Sequence, residues 1–473
     1  MTPLVAVIDV GKSNAKLSLV DARSVQMVWS VKRANLTVVA SDLRQLDIVA
    51  IECWLLDALA SAPYKDQVAA IVPIAHGAAA VLVDERGEIL AAPDYEDPNF
   101  GPVDEDYERD RDAFEDTYSP SLPLGLNLGR QWQFLERERP HLFARAVYAL
   151  LYPQYWAWRF SGVMASEVTS LGCHSDLWRP REKTFSHLAH VRRWERLLPA
   201  LRCGEDTLGT ITERVAQTTG LNPACRVSCG LHDSNASFLQ HVLGGGRKGP
   251  FCVISSGTWT VTMAYHADLT RLHAERDMLA NIDAFSSPVC TARFMGGREY
   301  DVIAQNAALP SREALAAVLQ RQAMALPSFA PGGPFPGAKG TLLRADQLNG
   351  AERAALATLY VALMSDLSIE LLGAGGDIFL DGPLAANPLF AAVLAALRPA
   401  NRVLVTGAAA GSDIAVVFLA GFPHRAAALP PAVEPLTLAG LVEYRCIWRE
   451  RLPEASAGTA RAEHRTTVRE SHR

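Results

Sequence analysis

The sequence predicts an α/β protein with two domains. Its 473 residues exceed the length of one average domain, and 49% hydrophobic and 20% charged residues are ordinary globular composition. A strand, a short glycine-containing turn and a second strand open the chain at Leu4, and this pattern returns at Phe251 like an internal repeat. Helix-prone stretches then alternate with short apolar strands, which is typical of α/β domains.

The first half opens with the apolar strand at 4–8, which runs into Asp9-Val10-Gly11, and period-two alternation over 15–21 predicts its hairpin partner. Further elements are predicted in this order: strands at 68–74 and 79–83, an irregular excursion at 94–120, helix at 140–162, a strand followed by a helix within 203–221, and a helix at 236–243.

A Gly- and Lys-rich break at 244–249 is the predicted domain boundary. We therefore expect an N-terminal domain at 1–244, a C-terminal domain at 245–430 and an extension at 431–473 that ends in a partly disordered tail. The predicted elements of the C-terminal domain are strands at 251–254 and 259–265, helices at 313–325 and 351–372, a strand at 377–380, a helix at 388–397, a strand at 402–405 and a final helix after 411–413.

Composition argues against several classes of partner. The formal net charge of −6 gives no electrostatic reason to expect nucleic acid or an anionic membrane, so a small-molecule substrate fits better. No window reaches about 18 uninterrupted apolar residues, and the N-terminus lacks a signal-peptide pattern, so we expect a cytoplasmic protein. The eight cysteines form no CxxC pair, and we expect reduced packing residues.

Two short polar turns between strands are candidates for phosphate binding. Such a turn presents successive backbone N–H groups to one side, and glycine allows a phosphate to approach them. Asp9 is the only carboxylate of the first turn and is suited to the hydration shell of Mg²⁺. Further groups come from Gly11, Ser13, Asn14 and Lys16 in the first turn and from Ser256, Gly257 and Thr258 in the second. Either turn alone could be an ordinary β-turn.

A third candidate is Asp233 in the segment Gly230-Leu231-His232-Asp233, where an apolar strand passes into a helix. The helix dipole and free N–H groups at a helix start favour an ionised carboxylate. An ionised Asp can accept the proton of a hydroxyl that attacks a γ-phosphorus. The alternative is that Asp233 only caps the helix.

Three segments carry a family resemblance: Ile8-Asp9-Val10-Gly11-x-Ser13-Asn14-x-Lys16, Gly230-Leu231-His232-Asp233 and Ser255-Ser256-Gly257-Thr258-Trp259. They resemble the first phosphate motif, the Gly-x-His-Asp motif and the second phosphate motif of the FGGY carbohydrate kinases. The third segment is most similar to the rhamnulose and fuculose kinase branch, as is 293–299. Residues 382–387 resemble the adenosine motif, where these kinases usually carry Gly-Gly. The resemblance runs from about residue 4 to 422 with the motif order intact.

The resemblance implies two ribonuclease-H-like domains of the actin-like ATPase superfamily, hinged around a central cleft. It also implies ATP and Mg²⁺ as cofactors, with Asp9 serving the metal and Asp233 acting as the base. Gly257 and Thr258 would contact phosphate, and the adenine nucleotide would be flanked by Gly382, Asn387, Gly411 and Ser412. We expect a small-molecule sugar as substrate, no nucleic acid or membrane partner, and a homodimer as the assembly to test.

The residues that the resemblance assigns to the sugar match the family motifs less closely. His76 and Gly77 match a Gln-x-His-Gly segment in part, because Ile74-Ala75 replaces its polar lead-in. Tyr95 and Asp97 match a substrate loop that normally ends in Arg, and His232 accompanies Asp233. Glu167 is similar to a residue that lines the family's cleft, although it could only organise a loop.

Phosphorylation of a ketose or related polyol is therefore the leading hypothesis. Two alternatives stay open: an ATPase or a kinase for a non-sugar acceptor with the same fold, and a non-catalytic sugar or nucleotide sensor or filament-forming actin relative. ATP consumption that no polyol changes would favour the first, and sedimentation with and without ATP would detect a filament.

Overall fold

The computed structural model describes residues 2–101, 105–244, 249–305, 310–406, 411–424 and 429–453. The chain divides into two compact units. Unit 1 comprises Met1–Gly249, Ala280–Val289 and Gly407–Leu429, and unit 2 comprises Pro250–Leu279, Cys290–Thr406 and Pro430–Arg473. This division differs from a single boundary at residue 245, because two later segments return to unit 1 and part of the expected extension belongs to unit 2. Residues 245–248 and 454–473 lie outside the described residues.

Unit 1 contains fourteen strands among the described residues: β1 Leu4–Val10, β2 Asn14–Asp21, β3 Gln26–Ala34, β4 Thr37–Ala40, β5 Leu43–Leu46, β6 Val68–Ala75, β7 Ala80–Val83, β8 Ile89–Ala91, β9 Tyr148–Leu151, β10 Trp178–Arg179, β11 Thr184–Phe185, β12 Thr207–Thr210, β13 Arg226–Ser228 and β14 Leu231–His232. Its helices are α1 Ile48–Ser61, α2 Glu105–Asp110, α3 Phe114–Thr117, α4 Leu128–Glu138, α5 Pro140–Arg145, α6 Tyr152–Ser161, α7 Val168–Leu171, α8 His187–Val191, α9 Glu213–Thr219, α10 Asp233–Leu243 and α15 Gly411–Leu419.

The strands of unit 2 are β15 Phe251–Ser256, β16 Thr260–Tyr265, β17 Met278–Ile282, β18 Pro288–Phe294, β19 Met324–Leu326, β20 Thr341–Leu343, β21 Asp377–Asp381 and β22 Val403–Val405, with the tip of the β17–β18 hairpin counted in unit 1. Its helices are α11 Gly296–Ala304, α12 Arg312–Arg321, α13 Gly350–Leu372, α14 Pro388–Leu397 and α16 Leu441–Glu450.

The main sheet of unit 1 has the strand order β12-β13-β6-β1-β2-β3, and β14 also pairs with β6. Every side chain of β1 except Asp9 is buried, because helices cover both faces of the sheet. Ala6 and Ile8 pack into a core with α1 and α6. Val5 and Val7 pack on the opposite face with α10 and α15. The alternation of the strand thus divides one short sequence between two cores.

The main sheet of unit 2 repeats this topology, with the order β22-β21-β15-β16-β18-β17. Strand β15 is antiparallel to β16 and parallel to β21, just as β1 is antiparallel to β2 and parallel to β6. The next strand is parallel in each unit, β13 beside β6 and β22 beside β21. The repeat predicted from the two hairpins is therefore confirmed.

Two predicted segments need correction. The helix expected over 140–162 is interrupted by β9, which pairs antiparallel with β7, and Pro153 stands in the first turn of the new helix α6. The excursion at 94–120 contains α2 and α3. Strand β9 forms because it pairs with β7, which lies more than sixty residues earlier in the chain. The spacing of apolar residues within 140–162 carries no information about that distant partner.

The segment after residue 430 contains a helix, α16, that packs within unit 2. Trp448 is fully buried, and its indole N–H donates to the carbonyl of Ala325 at 2.8 Å. Arg445 and Arg449 reach the buried carboxylate of Asp366 on α13 at 2.8 and 2.7 Å. Residues 441–450 are thus an ordered part of unit 2.

Among the described residues, α13 is the one helix long and apolar enough to cross a membrane by length and composition. The protein itself buries 89% of its most apolar stretch. A capping box of Asn349 and Glu352 begins the helix, and Gly373 ends it in the left-handed conformation. Burial on this scale is what a core helix shows, so α13 is weak support for a membrane span.

Candidate active site

Three parallel strands of unit 1 bring the predicted residues to one sheet edge. Strand β6 lies parallel to both β1 and β14, so the carboxyl ends of all three strands point the same way. Asp9 lies near the end of β1, His76 follows β6, and Asp233 follows β14. Side chains far apart in sequence therefore meet at this edge.

The first phosphate turn is a tight hairpin. The N–H of Gly11 donates to the carbonyl of Asn14 at 2.9 Å, and Ser13 and Asn14 are exposed at the tip. Asp9 stands opposite Lys16 in the β1–β2 register. Burial and, to a lesser degree, the negative charge of Asp233 raise the pKa of Asp9 to about 6, although the positive charge of Lys16 opposes them.

Asp9, Lys16 and Asp233 line a cavity of about 140 Å³ together with a third carboxylate, Asp413 of α15. Sequence reasoning missed Asp413, which accepts a hydrogen bond from the N–H of Met27 at 3.0 Å. Its only sequence signal was its place just after Gly411-Ser412. Burial is the main cause that raises the pKa of Asp413.

The described residues include no group of three or more His, Cys, Asp or Glu arranged to hold a metal ion. The two carboxylates of Asp9 and Asp233 nevertheless suit Mg²⁺, because the charge of Asp233 raises the cost of ionising Asp9 and a hydrated cation would relieve that repulsion. Oxygen ligands with retained waters are the usual environment of this ion.

Asp233 is the first residue of α10, and its side chain is 37% exposed. Its Oδ1 accepts from the N–H of Ser234 at 2.6 Å and lies 3.3 Å from Nε2 of His232. Nδ1 of His232 lies 3.1 Å from Nδ2 of Asn235. An amide N–H that donates to Nδ1 leaves the proton on Nε2, where it faces Asp233. Burial lowers the pKa of His232, which favours this neutral ring.

His76 is buried close to Asp233 and His232. Its ring makes edge contacts with Tyr95 and Tyr152, with centroids 5.8 and 4.9 Å apart. Burial lowers the pKa of His76 and is the largest cause of the shift. A methyl group on Gly77 would lie 2.6 Å from Nε2 of His232, so only glycine fits beside that ring. We call His76, Tyr95, His232 and Asp233 the His76 cluster.

Glu167 and Asp97 occupy structural positions next to this cluster. Glu167 is fully buried, caps α7, and accepts from both the N–H and the hydroxyl of Thr169. Burial raises the pKa of Glu167 to about 8. The Thr169 hydroxyl in turn accepts from the N–H of His232 at 3.1 Å. Asp97 accepts from the main-chain N–H groups of Arg44 and Asn99, which suits a loop-organising role.

The second phosphate turn lies in unit 2, where Gly257 and Thr258 are exposed. A methyl group on Gly297 would lie 2.1 Å from the carbonyl oxygen of Gly257, so the start of α11 presses against this turn. The hydroxyl of Ser256 donates to the carbonyl of Asp381 at 2.7 Å and accepts from the N–H of Leu384 at 3.0 Å. The second phosphate turn and the predicted adenosine loop are therefore one hydrogen-bonded structure.

Gly382 begins that loop with a φ of +82°, and a methyl group there would lie 2.0 Å from the carbonyl oxygen of Ser256. The side-chain oxygen of Asn387 caps α14, and its side-chain N–H donates to the hydroxyl of Thr358 at 3.2 Å. Both ends of the Asn387 amide therefore make hydrogen bonds within unit 2. Gly411 and Ser412 form the start of α15, which belongs to unit 1, and their side chains lie outside the described residues.

Comparison with known proteins identifies the family. The chain is 34% identical to a carbohydrate kinase from Novosphingobium aromaticivorans, over 95% of this chain and 98% of that chain, with a TM-score of 0.86. The family model for the C-terminal domain of carbohydrate kinase FGGY matches residues 248–428. The chain belongs to the FGGY carbohydrate kinase family. It is therefore a sugar kinase, and ATP is the phosphoryl donor that this family implies.

Other solved FGGY kinases share the fold at lower identity. A gluconate kinase from Lactobacillus acidophilus is 14% identical over 94% of this chain and 96% of its own, with a TM-score of 0.74. A xylulose kinase from Rhodospirillum rubrum is 16% identical over 94% and 97%, also with a TM-score of 0.74. No curated protein matches this FGGY kinase. The predicted α/β class with two actin-like ATPase domains is confirmed.

Proposed function

We propose that this FGGY kinase transfers the γ-phosphoryl group of Mg-ATP to a hydroxyl of a ketose or related polyol, with Asp233 as general base. The observation that carries the proposal is the environment of Asp233. Its carboxylate is partly exposed at the sheet edge, beside Asp9 and the neutral ring of His232. Such a carboxylate can approach a substrate hydroxyl, whereas a fully buried one could not.

The proposed transfer forms one oxygen–phosphorus bond and breaks another. One Asp233 oxygen accepts the proton of the attacking hydroxyl, the hydroxyl oxygen bonds to the γ-phosphorus, and the bond from that phosphorus to the bridging oxygen of ADP breaks. Nε2 of His232 lies 3.3 Å from Oδ1 and limits where the carboxylate can turn, while Lys16 offsets part of the negative charge around Asp9. Bound Mg²⁺ supplies charge neutralisation for the phosphates, and Asp9 and Asp233 are the residues that would hold its hydration shell.

The sugar branch is part of the same proposal. Two segments resemble the rhamnulose and fuculose kinases, 255–259 and 293–299. Their packing supports treating them as one recognition unit, because a methyl group on Gly297 would lie 2.1 Å from the carbonyl oxygen of Gly257. We therefore expect a deoxyketose or a pentulose as acceptor.

The test is a coupled ADP-release assay with Mg-ATP and a panel that includes rhamnulose, fuculose, ribulose and xylulose. We expect one ketose to stimulate ADP release strongly. Asp233→Asn should reduce kcat by at least about 100-fold, within the range for a general base, while the exposed Asp57→Asn on α1 serves as the matched control. Retention of more than a few per cent of turnover by a folded Asp233→Asn protein would reject the base assignment.

A further inference from the structure

Lys12 lies in the first phosphate turn, yet its ammonium group is held by a different loop. It forms a hydrogen-bonded ion pair with Asp94, lies 3.4 Å from Oε2 of Glu96, and stands 4.7 Å from the centroid of the Tyr95 ring. The Lys12 side chain is 20% exposed, whereas Asp94 is completely buried. Three contacts from one short loop therefore fix the position of this cation.

The same loop connects Lys12 to the His76 cluster. The Tyr95 ring beneath the ammonium meets the ring of His76 edge-on at 5.8 Å. The charges of Lys12 and Asp233 both act on the pKa of His76, in opposite directions. The ammonium is thus attached to the side of the turn on which the acceptor is proposed to bind.

The charges around Lys12 affect whether a neutral or an anionic acceptor can bind next to it. Its positive charge faces the carboxylates of Asp94 and Glu96. At the adjoining sheet edge, Asp9 and Asp233 add two carboxylates against the single ammonium group of Lys16. An anionic acceptor, such as a sugar acid, would meet excess negative charge with its nearest cation already neutralised.

An ammonium group nevertheless keeps donor capacity after pairing. It carries three N–H bonds, and the described residues give it two carboxylate partners, Asp94 and Glu96. A third N–H bond remains for a ligand oxygen. Stacking over Tyr95 and pairing with a buried carboxylate make this a preorganised donor, so little entropy is lost when it binds a hydroxyl.

We propose that Lys12 is a specificity-determining residue that donates a hydrogen bond to a hydroxyl of an uncharged sugar, and that Asp94 makes the site reject sugar acids. The inference deepens the proposed function and rests on it. It narrows the acceptor to neutral ketoses and polyols. Asp94 acts through Lys12 and is a positioning residue.

Removing Lys12 alone would leave the buried carboxylate of Asp94 uncompensated and could unfold the protein. The decisive variant is therefore the double substitution Lys12→Met with Asp94→Asn, with Lys12→Arg as the conservative variant and the exposed Lys183→Met as control. For each, kcat and KM are measured for the best neutral sugar and for ATP, and sugar binding without ATP is measured by calorimetry.

We expect the double variant to raise the KM and the calorimetric Kd for the sugar about 10-fold, the loss of one hydrogen bond of about 1.4 kcal/mol. The KM for ATP should stay close to that of the unmodified enzyme. Asp94→Asn alone frees the ammonium and should raise kcat/KM for the matching aldonate relative to the sugar by a similar factor.

Three results would overturn the inference. The sugar KM could stay unchanged in the double variant, the KM for ATP could rise in its place, or the unmodified enzyme could prefer an aldonate. The last result would leave the kinase function standing. If no panel sugar stimulated ADP release, the proposed function would fail, and calorimetry with the unmodified enzyme and the double variant would still decide whether Lys12 binds a neutral sugar.

Discussion

The contact between Gly77 and His232 makes the geometry of the proposed active site testable with one methyl group. Gly77→Ala would place a Cβ atom 2.6 Å from Nε2 of His232 and 3.0 Å from its Cδ2. Non-bonded carbon contacts are optimal at about 3.5–4.0 Å, so the ring must move by about 1 Å. Gly77 does not have a positive φ, and alanine therefore adds no backbone strain.

The displaced atom is the one that faces Asp233 at 3.3 Å. The ring has little room to move, since His232 is 6% exposed and its other nitrogen pairs with Asn235. A misplacement of about 1 Å at a reacting centre can cost about 100-fold in rate, so we expect kcat/KM for the sugar to fall by that order. The predicted phosphate turn and adenosine loop of unit 2 are untouched, so ATP binding should persist.

Steady-state kinetics with varied sugar and with varied ATP separates these two effects. Gly375→Ala is the matched control, because its added Cβ would lie 3.9 Å from the nearest atom, an ordinary contact. Thermal unfolding of both variants shows whether either loses the fold. A folded Gly77→Ala enzyme with kcat/KM within threefold of the control would refute the proposed link between His232 and Asp233.

Three further predictions test the charges of the structure. Because the pKa of Asp9 is raised to about 6, Mg²⁺ affinity should fall as pH drops through 6, and Asp233→Asn should move that midpoint to lower pH in calorimetric titrations; an unmoved midpoint contradicts the coupling. The folded pKa of Glu167, about 8, exceeds its ordinary value of 4.5, so its stability contribution is complete below pH 4.5 and is lost as pH rises through 8. Glu167→Gln should therefore melt higher than the unmodified protein at pH 9 but not at pH 4.5, and equal melting curves at pH 9 would count against this. Asp366→Asn leaves three arginines without their buried partner and should cost about 3 kcal/mol by chemical denaturation; an unchanged midpoint would show that α16 does not depend on these pairs.

The two hairpins and the repeat between the halves could be predicted because their signals are local. Alternating side chains and a glycine turn specify β1 with β2, and the same pattern specifies β15 with β16. The interruption of the helix at 148–151 could not be predicted, because β9 exists by pairing with β7. Helix α16 was missed for a related reason, since Asp366, which pairs its arginines, lies 79 residues earlier.

Some features of the candidate site could likewise be predicted from local sequence motifs, and others could not. The motifs in the amino-acid sequence were sufficient to identify the family and to predict the phosphate turns and Asp233 as site residues, because each motif is a short run of neighbouring residues. Only the tertiary structure decided that Asp413 joins Asp9 at one cavity and that Lys12 leaves its own turn to pair with Asp94. Those contacts depend on strand register and on the packing of helices across a sheet, which bring together side chains that no sequence spacing relates.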